Sequence, residues 1–588
     1  MALPIILSKG KFTAQFRRRF FSYCENINAG DYPLTRWKQW TDNPAIVIFR
    51  AVRDGKTAGW IAYDKSRSRV QEICIDGRGS MPELWTAMMD ALIVRENLIA
   101  FELLADDAGK YNWAVEYGFR PTHTFKMNGG IPLVQMDLSW AILREKLDGL
   151  QPAAAYRTKE KVAIERVPET STNEEVKTGL RRLIRKLGGL KRFVKPGQTV
   201  VIKPNVVSDH GLKDGEYKGG IITDIRVVRA LTEILLPVAA RVIIAEGSSI
   251  NRSETSKMFA HYGYDRLADM DRKKVSLVDL NKDDTTEKTI LGGKRMVSRK
   301  IPLTLERADV IISVPVLKIH FAAVASLSIK HLQGAVPPLE KYMTHFFGLW
   351  QNLVNIHHVI KPKLTIIDGL TGQEDFGPVS GVPKEMGLLI GGTNPVAVDS
   401  VAMKIMGLDP LASPPVWLAY MQGMGPVEEN MITVVGPGIE EVMSPFRQPA
   451  IDLTGGRDIT IHADRACPGC KGYLHFVLSK LRRPDPKDPS RLLIDRPFNK
   501  RVNIFLGPAG DGMARPEENN ENNVFMGICQ QHYEWAGTHL PGCPPHAEVI
   551  MNGIFELFPD VERPQYADKT EEAKLSEMLR EVLSMDRA

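Results

Sequence analysis

QTVVIKPNVV (residues 198–207), ARVIIAEGSS (240–249), ADVIISVPVLKIH (308–320) and KLTIIDGLTG (363–372) share one pattern. Each is a near-continuous run of branched apolar residues that ends on an ionisable side chain: Lys203, Glu246, Lys318 and Asp368. Strands apolar on both faces are covered on both sides by helices, the habit of parallel sheets. DIRVVRALTEILLPVA (224–239), opened by Thr223-Asp224 as cap, supplies a helix between two of them. MGLLIGGTNPVAVDSVAMKIMG (386–407) reads as strand, turn and helix. The alternation predicts a doubly wound α/β domain over about 160–450. Ligands of such sheets bind beyond the C-terminal strand ends, so the four ionisable ends predict one shared polar crevice.

Outward from this block, DGLQPAAAYRTKEK (148–161) loses periodicity and reads as a linker. Before it, residues 1–145 carry a hairpin around Arg53-Asp54-Gly55-Lys56, a strand VQEICID, and a helix MPELWTAMMDALIVREN. A strand IAFELLA, a short helix ending at Gly118 and a strand VQMDLS follow. This order, with NWAVEYGFRPTHTF near its end, resembles the GNAT acetyltransferases. The resemblance implies an α+β domain with an acyl-CoA site. The corresponding turn, Asp76 to Pro82, departs from the family's glycine pattern, and Pro82 removes one amide donor. A degenerate domain used for docking or as a lid is therefore expected.

Composition excludes several classes. With 43% hydrophobic and 25% charged residues the chain is neither disordered nor coiled coil, and a net charge of +6 over 588 residues gives no nucleic-acid signal. The amino-terminal stretch does not read as a secretory signal, and no apolar run is long enough to span a membrane. A cytoplasmic protein without nucleic-acid or membrane partners is expected. No P-loop, dinucleotide fingerprint or serine elbow is present.

The central runs, together with SIKHLQGAVPP (328–338), IIDGLTGQEDFGPVSG (366–381) and NPVAVDSVA (394–402), resemble the domain-of-unknown-function family numbered 362. The motif positions are Lys203, Asn205, Lys318, His320, Lys330, His345, Asp368, Gly377, Pro378 and Asp399. The resemblance implies an α/β domain that often accompanies iron–sulfur modules. Lys330-His331 departs from the lysine–asparagine pair of typical members. Read from the residues alone, Lys203, Lys318 and Lys330 are cations brought to one region, which needs anions to offset them. Glu246, Asp368 and Asp399, or a small anionic ligand, would do so. His320 and His345, with Lys318, are the expected catalytic groups, the histidines moving a proton near neutral pH. Lys203, Asn205, Glu246, Lys330, Asp368 and Asp399 are the expected substrate-binding set.

The last block, 451–588, holds Cys467-Pro468-Gly469-Cys470, then Cys529 and Cys543. Four thiolates complete either a [4Fe–4S] cluster or a tetrahedral zinc site. Prolines beside Cys467 and Cys543, and the absence of a second compact C-x-x-C, favour the cluster, with zinc as the alternative. HLPGCPPHAEVIMNGI (539–554) is similar to the cluster-binding loop of the small electron-transfer subunit of respiratory complex I. A C-terminal helix with Leu575, Met578, Leu579 and Leu583 at helical spacing is expected to dock one face on this body.

The expectation is a multi-domain α/β chain: a GNAT-like α+β domain, a doubly wound domain and a small metal-binding module. Its function would be redox or cluster-assisted chemistry on a small anionic molecule, with a redox partner protein. The alternatives are an acyl-CoA-dependent N-acyltransferase, or a non-catalytic electron carrier that docks on another protein.

Overall fold

A computed structural model describes residues 5–76, 81–96, 100–127, 130–152, 155–208, 212–213, 216–217, 219–249, 254–290, 296, 298–508, 522–564 and 569–585. Three sheets organise the chain. The largest has ten strands. Its parallel half runs Val275–Asp279, Arg241–Glu246, Thr199–Pro204, Val310–Val314 and Leu364–Glu374 in spatial order. The strand-end rule therefore places Lys203 and Glu246 at one rim.

Side chains along Thr199–Pro204 alternate between two cores, as a doubly covered strand demands. Val200 and Ile202 join the core that includes Leu180 and Leu183 of helix Asn173–Lys186 and Val227 and Leu231 of helix Ile225–Leu235. Val201 joins Leu332 and Ile356 on the other face. Helix Asn173–Lys186 opens with a capping box between Thr172 and Glu175.

The remaining strands add antiparallel pairs to the doubly wound half. Val382–Gly392 runs antiparallel to Leu364–Glu374, and Glu160–Arg166 runs antiparallel to Val382–Gly392. Val316–His320 leaves the Val310–Val314 line after Pro315 and turns in a hairpin with Val324–Ser326. An apolar run carries no information on strand direction, so the mixed sheet was not readable from periodicity.

The N-terminal sheet has seven strands, ordered Ile6–Lys9, Ile46–Arg53, Lys56–Asp64, Arg69–Ile75, Ala100–Leu104, Pro132–Leu138 and Phe119–Lys126. The hairpin at Arg53 to Lys56 is present, with positive φ at Asp54 (52°) and Gly55 (72°), as a two-residue primed turn requires. Strands Arg69–Ile75 and Ala100–Leu104 pair in parallel only through Arg69 and Val70. Buried beside their diverging ends, Lys110 Nζ contacts Glu72 and lies 3.9 Å from the Tyr23 ring centroid. In the Asp76–Pro82 turn, residues 77–80 lie outside the described residues; Asp76 itself pairs with Arg19 at 2.7 Å.

The third sheet is four-stranded and parallel: Ile459–His462, Val502–Leu506, Asn523–Met526 and Thr538–Leu540. Helix Lys569–Met585 docks on helix Pro338–Phe346, with Met578 and Val582 against Leu339, Tyr342 and Met343. Among the described residues, no helix is long and apolar enough to cross a membrane.

Candidate functional site

Lys203 and Glu246 end neighbouring parallel strands, and Lys203 Nζ sits 2.6 Å from Glu246 Oε2. Both side chains are at most 3% exposed. Burial pulls the lysine down and pushes the carboxyl up to about 7, each partly restored by its partner. The backbone of the turn after Lys330 closes over the pair: a Cβ on Gly334 would stand 2.2 Å from Glu246 Oε1 and 2.9 Å from Lys203 Nζ. His331 completes the group, its Nε2 3.2 Å from Lys203 Nζ and its Nδ1 2.7 Å from Ser313 Oγ. Sequence reasoning saw His331 only as a departure from a family pattern. It also missed Lys341, whose Nζ donates to the carbonyls of Gly247 (3.0 Å) and Ser248 (2.8 Å) and to Asn281 Oδ1 (2.6 Å). Burial lowers that amine to about 7.

A second group gathers around Ile221. Its carbonyl accepts from Lys318 Nζ at 2.8 Å and from Asn205 Nδ2 at 2.7 Å. Burial, then the neighbouring Lys330, lowers Lys318 to about 7; burial lowers Lys330 to about 8. Among the described residues no carboxylate forms an ion pair with either lysine. They are amines whose charge an anion would restore.

His320 shares a strand face with Lys318, two residues away. Its Nδ1 accepts the amides of Ala322 (3.1 Å) and Ala323 (3.2 Å), so its proton resides on Nε2. Burial, Lys330 and Lys318 hold the ring well below the usual imidazole range. In this state Nε2–H is the remaining donor of the His320 ring. His345 approaches from helix Pro338–Phe346, within electrostatic reach of Lys330 and His320, with its ring centroid 4.8 Å from that of His546 and 5.8 Å from that of Tyr473.

The two aspartates are committed to backbone amides. Asp368 accepts from the amides of Asp224 (2.7 Å) and Leu370 (3.1 Å), anchoring the start of helix Ile225–Leu235. Asp399 accepts from Ser328 (2.7 Å) and Ile329 (3.0 Å), capping the turn that carries Lys330 and His331. Burial holds each carboxyl near 7 despite these donors. Asp399 thus anchors the turn that bears Lys330, and Asp368 anchors a helix start.

The four cysteines follow strand ends of the third sheet. Cys467 comes after Ile459–His462 and caps helix Pro468–Leu481, Cys529 comes after Asn523–Met526, and Cys543 after Thr538–Leu540. Parallel strands collect their exit loops at one rim, which brings the four thiols within electrostatic reach of one another. Cys470 is pushed well up by its hydrogen bond to Cys467, by burial, and by Cys467, Cys529 and Cys543 as potential like charges. The hydrogen bond from Cys470 and the first amides of the helix instead lower Cys467 to about 7, a setting that favours thiolate. Burial and Cys543 push Cys529 up to about 12.

Every domain touches this cluster. Arg120 Nε donates to the Cys529 carbonyl at 3.0 Å, and the Cys543 amide donates to the His345 carbonyl at 3.3 Å. The Trp350 indole faces Cys467. His345 Nδ1 is buried here without a hydrogen-bond partner. Among the described residues, no three His, Cys, Asp or Glu side chains stand at metal-ligand spacing. As a donor set, four thiols, three of them buried and Cys543 partly exposed, with the Trp350 indole beside Cys467, still suit an acceptor-rich, thiolate-bound group.

Between the two sites lies a cavity of about 230 Å³. His320, Phe321 and Val324 line it from the central sheet, and Ala466, Pro468 and Lys471 from the cysteine region. The carbonyl of Phe321 would lie 2.6 Å from a Cβ at Gly472, so the hairpin tip presses on the cysteine-bearing helix.

"Thylakoid-associated protein sll1697" of Synechocystis sp. (strain ATCC 27184 / PCC 6803 / Kazusa) is 27% identical over 281 residues, 46% of this chain and 83% of that protein. Among solved structures, an acetyltransferase from Thermus thermophilus is 13% identical and covers 23% of this chain and 97% of its own, with a TM-score of 0.19. The ribosomal-protein-S18-alanine N-acetyltransferase from Escherichia coli is 14% identical, covering 23% and 92%, with a TM-score of 0.17. The family model described as "Domain of unknown function (DUF362)" matches residues 200–404, the segment that holds Lys203, Glu246, Lys318, His320, Lys330 and His345.

Proposed function

We propose that this chain is an iron–sulfur protein that carries out redox chemistry on a small anion bound beside its cluster. Cys467, Cys470, Cys529 and Cys543 would hold a [4Fe–4S] cluster, zinc being the alternative for the same donor set. When bound, such a cluster supplies single electrons, its irons being saturated by four thiolates. Trp350 Nε1 and His345 Nδ1 would donate hydrogen bonds to its sulfurs, which tunes a reduction potential. Lys318 and Lys330 attract the anion, His320 donates from Nε2, and Asp399 orients the turn bearing Lys330.

The observation that carries this reading is a cavity of about 230 Å³ lined by His320 on one side and by Ala466 and Pro468, the chain neighbours of Cys467, on the other, with Lys330 and Lys318 within electrostatic reach of His320. The N-terminal domain is read as a cover. Its Arg120 reaches the Cys529 loop, and Lys110, Glu72 and Tyr23 fill the space beside its parting strands. An acyltransferase remains the rival for that domain.

The test is calorimetric titration of the anaerobically purified full chain with small carboxylates and inorganic phosphate, comparing wild type with Lys318→Met. Binding of at least one anion by wild type, weakened more than tenfold in the variant at equal iron content, supports the reading. Equal affinity, or tight binding of acetyl-CoA in place of any small anion, refutes it.

A further inference from the structure

The walls of the 230 Å³ cavity specify more than an anion. At about 30 Å³ per water, it holds roughly seven waters, or one compact organic molecule. Phe321, Val324, Pro449, Ile451 and Pro468 make most of its lining apolar. The Phe321 ring is itself held in a stack, its centroid 5.0 Å from that of Phe376 with 8° between planes, and edge-on to Tyr473 at 5.1 Å. Besides Gln448, two polar side chains line this apolar space. One is His320, 4% exposed, whose Nδ1 is occupied and whose Nε2–H is its remaining donor. The other is the cation of Lys471, on the helix that carries Cys470.

The backbone is strained at the same place. Val324, which follows the Phe321-Ala322-Ala323 turn, has φ +69°. A β-branched residue in the left-handed region is an outlier, and such strain concentrates at binding sites. Glycine is the residue this hairpin position favours. A valine there sacrifices stability for an apolar wall.

We infer that the cavity binds a small monocarboxylate with a compact, preferably planar apolar body. Its carboxylate is held between His320 Nε2–H and Lys471, and its body lies against Phe321 and Val324. The inference rests on the anion reading above and deepens it: the carboxylate lies on the cysteine side of His320, one residue from Cys467, with Lys471 as its direct cation and Lys318 and Lys330 acting at longer range through the His320 side.

The probe is 4-fluorobenzoate, followed by fluorine NMR against the full-length protein as isolated, with iron counted on the same sample. Expected is saturable binding that fluorobenzene and acetate each match at least tenfold more weakly. Lys471→Met, which removes only the cation, weakens 4-fluorobenzoate more than tenfold, and so does Ile451→Trp, which fills the space. Absence of binding to wild type, or binding unchanged by both variants, overturns the inference. Iron content separates the two claims: benzoate binding without iron keeps the cavity and refutes the cluster, whereas iron without benzoate binding refutes only the cavity.

Discussion

Replacing Lys203 with methionine tests the electrostatics of the central domain most sharply. The substitution keeps the stem and removes the cation 2.6 Å from Glu246, leaving a carboxyl that is 3% exposed. Removing one partner of a buried pair costs about 3–5 kcal/mol. The size should depend on pH, because Glu246 already sits near 7 with Lys203 beside it. Without the amine its folded pKa rises further, so the native variant keeps the proton that the unfolded chain releases. A carboxyl raised in the folded state contributes stability at low pH and loses it as pH rises. In wild type, above pH 7, the charged pair holds one proton in both states and its slope vanishes. The variant should therefore lose about 1.4 kcal/mol more than wild type per pH unit between 7 and 8. The assay is urea unfolding of the transition belonging to this domain, followed at pH 6, 7 and 8. Lys203→Met with Glu246→Gln should recover most of the loss and flatten the slope. A single-variant penalty under about 1 kcal/mol, or one independent of pH, refutes this account of the pair.

Three further outcomes follow from particular contacts. Gly334→Ala places a methyl 2.2 Å from Glu246 Oε1, so it should split the pair and cost about 2–4 kcal/mol by the same unfolding assay, although helical φ suits alanine. Anion affinity should fall as pH rises through 7 to 8, where Lys318 and Lys330 lose their protons; binding at pH 8 should take up protons, seen as a dependence of calorimetric heat on buffer ionisation enthalpy. Val324→Gly relieves the left-handed strain and should change stability by no more than about 1 kcal/mol, whereas Val316→Gly, in ordinary strand geometry at 1% exposure, should cost about 3 kcal/mol or more.

Much of the central strand set was legible because doubly buried strands are written as unbroken apolar runs. The terminal helix was legible because a docked helix repeats its apolar face at three and four. Strand direction was not, since Met386 to Gly392 reads the same in a parallel or antiparallel strand. The residues ending the runs were found, but not what each one does. A lone aspartate in sequence does not say whether it meets a cation or a backbone amide, and Asp368 and Asp399 meet amides. His331 and Lys341 occupy helical turns whose partners, Ser313, Gly247 and Asn281, come from distant strands and loops. Four parallel strands of only three to five residues escaped notice in the last block, yet they bring the cysteine loops to one rim.

The cluster assignment meets its most direct test in protein purified without oxygen. Iron, zinc and acid-labile sulfide are counted per chain, and the spin-resonance spectrum is taken before and after reduction. About four irons and four sulfides, with a signal that appears on reduction and vanishes in Cys470→Ser, are predicted. One zinc per chain, or thiols that all react as free cysteines in a colourless protein, would contradict it.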